Sequence, residues 1–121
     1  ISAAVGDYVA GRGDYGILEG FTGHGIGSQM HQRPDVPNTG KAGRGVKITR
    51  GLALAIEPMV TLGSPYGVEL DDEWTIATMD GSWAAHFEHT VTWLPDGAWV
   101  LTALDGGEAR LAELGVPFGG R

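Results

Sequence analysis

The sequence predicts an α+β fold, an antiparallel sheet with flanking helices. Three observations point there. Short apolar runs of strand length recur through the middle of the chain. Two of them flank Pro95-Asp96-Gly97, a turn sequence that should pair its neighbours as a hairpin. Helix-spaced apolar residues are confined to the two ends. Gly 21 and Pro 6 make up 22% of 121 residues, just short of the roughly 25–30% that marks unpatterned disorder. Against that stand four tryptophans and 28 Leu, Ile, Val and Phe residues, enough apolar side chains for a folded core.

Taken in order, Ile1, Ala4, Val5, Tyr8 and Val9 have near-helical spacing and are followed by Gly11, so residues 1–10 read as a helix closed by glycine. Gly23 to Gly45 reads as loop, with repeated glycines, Pro34, Pro37 and Asn38. Leu52 to Val60 reads as one buried strand and Trp74 to Met79 as another. Ala85 to Leu94 and Ala98 to Thr102 are the hairpin arms, and Glu108 to Leu114 is a short helix stopped by Gly115 and Pro117. No linker or internal repeat is visible, and the chain enters ordered-looking sequence directly at Ile1, which points to a piece of something longer.

Composition excludes several chemistries. Without cysteine there is no disulfide framework, thiol nucleophile or Cys-zinc site. No apolar run approaches the ~18 residues of a membrane span. With 15 acidic against 8 basic residues and no basic cluster, the net charge of −7 argues against a DNA partner. Gly11-Arg12-Gly13-Asp14-Tyr15-Gly16 matches a dinucleotide fingerprint, but it follows a helix rather than a strand and reads as a turn. His86-Phe87-Glu88 matches the H-x-E of zinc deaminases without their cysteine pair.

What survives is a set of His and Glu residues in unusual company. His24 lies between Gly23 and Gly25, and those glycines would let ring and backbone approach a ligand closely. Glu57 ends the apolar run Leu52-Ala53-Leu54-Ala55-Ile56, where a carboxylate is costly to bury unless paired or bound to a metal. Alternation places Ala53, Ala55, Glu57 and Met59 on one face, with small residues leaving room for a ligand. The same rule places His86, Glu88 and Thr90 on one face of the next run, with His89 on the apolar side as a packing residue. Asp71-Asp72-Glu73 reads as a solvated turn before Trp74. One loop imidazole and two buried carboxylates make a nitrogen-and-oxygen donor set suited to Mn, Fe, Co or Zn, and three ligands with open positions are the catalytic style of site.

Gly23-His24-Gly25-Ile26-Gly27 with Met30-His31, then Ile56-Glu57-Pro58-Met59, Asp72-Glu73-Trp74-Thr75 and Ala85-His86-Phe87-Glu88-His89-Thr90 resemble, in order and spacing, the C-terminal half of type I methionine aminopeptidases over about Val5 to Thr102. The resemblance implies the pita-bread fold, with residues 1–121 forming the C-terminal part of one catalytic domain and the N-terminal half absent. It implies two divalent metal ions (Co, Mn, Fe or Zn) and removal of the initiator methionine from nascent polypeptides in the cytoplasm, by a protein that is monomeric at full length and can meet the ribosome. By motif, His24, Glu57 and Glu88 become metal ligands, Glu88 bridging both ions and Glu57 also shuttling a proton. His31 contacts the substrate at the scissile amide, and Met30 and Trp74 wall the methionine pocket. The family's two aspartate ligands have no match, because Asp7 and Asp14 sit on a helix end and a turn. This chain alone is therefore expected not to hold two metals at catalytic strength. Glu73 stands where the family commonly has glycine. Two alternatives remain: a proline-specific aminopeptidase or creatinase relative, whose last glutamate sits in R-I-E-D rather than F-E-H-T, and a non-catalytic pita-bread module that binds proteins.

Overall fold

The computed structural model describes residues 1–120, which fall into two units. The first comprises Ile1–Thr22, Pro37–Arg44 and Glu57–Phe87. Its helix α1 (Ser2–Ala10) follows the helical spacing of the sequence. Gly11 ends it in a right-handed conformation, its N–H donating to the Asp7 carbonyl at 3.0 Å. Strand β1 (Gly16–Ile17) pairs with β5 (Met59–Thr61), which pairs with β8 (Ala84–His86), all antiparallel. A Cβ on Gly16 would stand 2.3 Å from Thr61 Oγ1, so this tight pairing requires glycine. Thr61 itself is buried, and its hydroxyl donates to the carbonyls of Gly63 and Ser64.

The same unit carries the hairpin of β6 (Gly67–Glu69) and β7 (Ile76–Thr78). The strand expected over Trp74–Met79 is thus three residues long, and Trp74 belongs to the turn before it. That turn is the expected acidic one. The Asp72 carboxylate accepts the backbone N–H groups of Trp74 and Thr75 and the Thr75 hydroxyl. These bonds, the Thr75 hydroxyl first, hold its pKa below the ordinary carboxylate value.

The second unit comprises Gly23–Val36, Gly45–Ile56 and Glu88 onward. Its core is a five-stranded sheet that also takes in the flanking Thr22 and Pro37. The order is β10 (Gly97–Val100), β9 (His89–Leu94), β4 (Ala53–Ile56), β2 (Thr22–Gly25), β3 (Gln32–Pro37). Leu54 and Ala55 of the central β4 are buried, with Val36 of β3, Thr90 and Thr92 of β9, and Ala98 of β10. The hairpin β9–β10 forms around Pro95-Asp96 as expected, with Gly97 opposite Leu94. Helix α2 (Glu108–Glu113) also forms where expected, and Gly115 follows it with a left-handed φ of 66°.

Three expectations are corrected. Residues 23–45 are not loop throughout, since they hold most of β2 and β3. The glycines there serve close strand approach: a Cβ on Gly23 would lie 2.2 Å from the Ala55 carbonyl oxygen, and one on Gly25 2.3 Å from that of Arg33. Next, Leu52–Val60 is two strands, β4 and β5, in different sheets. The break falls at Glu57-Pro58, where proline has no N–H for the ladder. Likewise Ala85–Leu94 divides into β8 and β9 at Phe87-Glu88. Met59 therefore does not continue the face of Ala53 and Ala55, nor His86 that of Thr90. Among the described residues, no helix is long and apolar enough to cross a membrane.

Candidate metal centre

The register of the five-stranded sheet explains how three distant residues meet. His24 is opposite Ala55, Ala55 is opposite Thr90, and Ile56 is opposite His89. Glu57 directly follows Ile56 and Glu88 directly precedes His89, so the two glutamates flank the last cross-strand pair of β4 and β9. Side chains two apart share a face. The paired His24, Ala55 and Thr90 therefore belong to one side of the sheet, where Ala55 is fully buried.

The side chains of His24, Glu57 and Glu88 each offer one donor atom, and these atoms all lie within 4.8 Å of one another. His24 Nδ1 is 2.9 Å from the Gly25 carbonyl oxygen. The ring of His31 stands edge-on to that of His24, with centroids 4.4 Å apart. The burial of the carboxylates differs from expectation. Glu57 keeps 13% of its side-chain exposure, but Glu88 is exposed, because it lies in the break before β9 rather than inside a strand.

Other sequence candidates are less engaged. Met30 precedes His31 and is 69% exposed, and Trp74 is 87% exposed in its turn. His89 Nδ1 lies 2.7 Å from the Thr102 hydroxyl, consistent with its expected packing role. Asp7 is on α1, and Asp14 lies in the turn that follows it. One residue to which the sequence assigned no task stands out. His86 Nε2 is 3.3 Å from Glu57 Oε2. The available signal was its place two residues before Glu88, obscured because the alternation that would have linked them breaks at residue 87.

The family model described as metallopeptidase family M24 matches residues 1–93. The chain belongs to that family. It is 47% identical over 104 residues to a methionine aminopeptidase of Clostridium perfringens, a match covering 86% of this chain and 41% of that protein. It is 56% identical over 88 residues to methionine aminopeptidase 1 of Mycobacterium tuberculosis, covering 73% and 33% respectively. The crystal structure of methionine aminopeptidase from Thermotoga maritima superposes with a TM-score of 0.79 at 42% identity, over 84% of this chain and 40% of that one. The chain thus spans one third to two fifths of the length of the curated relatives it matches. Over the matched part its fold is that of the methionine aminopeptidases, the pita-bread fold expected from the sequence.

The M24 donor set fits a divalent metal. Ligands each about 2.0–2.2 Å from one ion lie at most about 4.4 Å apart. The 4.8 Å limit on the donor atoms here leaves less than an ångström to close. One imidazole and two carboxylates are the donors that borderline and hard divalent ions prefer.

Proposed function

We propose that residues 1–121 are the C-terminal part of a methionine aminopeptidase catalytic domain, acting on the N-terminal methionine of nascent polypeptides in the cytoplasm. The observation that carries this reading is the convergence of His24, Glu57 and Glu88 in a chain of metallopeptidase family M24. In the whole protein His24, Glu57 and Glu88 would hold divalent metal. Bound metal supplies Lewis acidity, polarising the scissile carbonyl and acidifying water. Glu57, the less exposed carboxylate, accepts the proton of the attacking water and delivers it to the leaving amine. His31, edge-on to His24, donates to the carbonyl oxygen as negative charge develops there. Met30 and Trp74 are assigned to the methionine side chain, where apolar contacts suit a thioether. The whole protein acts as a monomer and meets its substrates at the ribosome.

The test is hydrolysis by the whole protein of Met-Gly-Met and of an X-Pro peptide, with and without chelator. Release of methionine from the first peptide alone, lost to chelator and restored by Co²⁺ or Mn²⁺, is the expected result. Cleavage of the X-Pro peptide instead would establish the creatinase-like alternative, and no cleavage of either would favour a binding module.

A further inference from the structure

We infer that His86 is a positioning residue for Glu57, resting on the metal-site reading above. Its Nε2 lies 3.3 Å from Glu57 Oε2, near enough to restrict the plane in which the carboxylate presents itself to a cation. The backbone makes this contact a built one. Met59 is the cross-strand partner of His86 in the β5–β8 pair. The pairing runs one residue further, with Phe87 N–H donating to the Pro58 carbonyl at 3.3 Å. Glu57 lies two residues before Met59, hence diagonal to His86, at a separation that long side chains span.

Magnitudes separate this role from simple stabilisation. The imidazole is 43% exposed, and exposed pairs of this kind contribute little to folding. A partner that orients a metal-binding side chain is worth more to the site, because its loss typically weakens metal affinity by about 10–100-fold. Glu57 also needs such a donor. Its side chain is nearly withdrawn from water, and a second carboxylate, Glu88, belongs to the same donor cluster. An imidazole nitrogen held beside one oxygen restricts rotation away from that neighbour. The neutral Nε2–H tautomer suffices, so the contact requires no charged imidazole.

The experiment is a Co²⁺ titration of the whole protein, followed by calorimetry and by the visible absorption of the bound ion. It compares the native protein with His86→Ala, His86→Gln and Glu57→Ala, each checked metal-free by circular dichroism. The expected result is Co²⁺ affinity about 10–100-fold weaker in His86→Ala, with an altered visible spectrum and an unchanged metal-free melting curve. His86→Gln, which restores an N–H donor, should recover most of both signals. Native-like Co²⁺ affinity and spectrum in His86→Ala, while Glu57→Ala loses binding, would overturn the role of His86 and leave the metal site standing. So would a lower metal-free melting temperature in His86→Ala with no recovery by glutamine. A native whole protein that takes up no Co²⁺, or a Glu57→Ala variant of it that binds as well as native, would remove the metal reading and this inference together.

Discussion

Asp80 shows how a single exposed side chain organises a loop. Its carboxylate accepts the Ser64 backbone N–H at 2.6 Å and that of Ser82 at 3.0 Å. The Ser64 bond first, then the contacts to Ser82, lower its pKa from 3.8 to about 2. A depressed carboxylate stabilises the fold fully above its unfolded value, and that contribution disappears as pH falls through the folded one. Native protein should therefore lose melting temperature between about pH 4 and pH 2. Asp80→Asn should start lower and fall less over the same interval, and parallel curves for the two proteins would show that the loop does not depend on this charge. At this scale the sequence was informative where chemistry is unusual. A histidine between glycines and a glutamate ending an apolar run both stand out against their neighbours. The contact of His86 with Glu57 was hidden because it is diagonal across strands, and no local pattern records such a pair.

Elements were legible where punctuation is strong and illegible where two strands share one apolar run. The Pro95-Asp96 turn and the terminal helices follow from residues that permit little else. The breaks at Glu57-Pro58 and Phe87-Glu88 do not, since each is two residues long within a run whose composition hardly changes. Strand β2 was read as loop because glycine is counted against strands, although here it is required by neighbouring backbone. Glycine substitutions test this directly. Gly25→Ala places a Cβ 2.3 Å from a backbone oxygen and should cost about 1–3 kcal/mol, as overpacking does. Gly6→Ala in α1 meets nothing closer than 3.5 Å and should instead stabilise by about 0.5–1 kcal/mol through helix propensity. Chemical denaturation of the two variants should shift the midpoint in opposite directions. A harmless Gly25→Ala would contradict the close approach of β2 and β3.

The described chain as a whole exposes much apolar surface. Trp74, Trp83, Phe87 and Leu104 are each at least 70% exposed. The five residues of its buried hydrophobic core include two alanines. The 121-residue chain by itself should therefore bind an apolar dye such as ANS at neutral pH, and a chain that leaves the dye dark would indicate a better-covered surface. Composition could signal enough apolar residues to fold, but not that so many of them stay at the surface.

The convergence of His24, Glu57 and Glu88 on one cation is tested most directly by anomalous diffraction from crystals grown with Zn²⁺. The account predicts an anomalous peak about 2.0–2.2 Å from a His24 ring nitrogen and from carboxylate oxygens of both glutamates. A zinc peak held by other residues, or none beside these three side chains at saturating zinc, would contradict it.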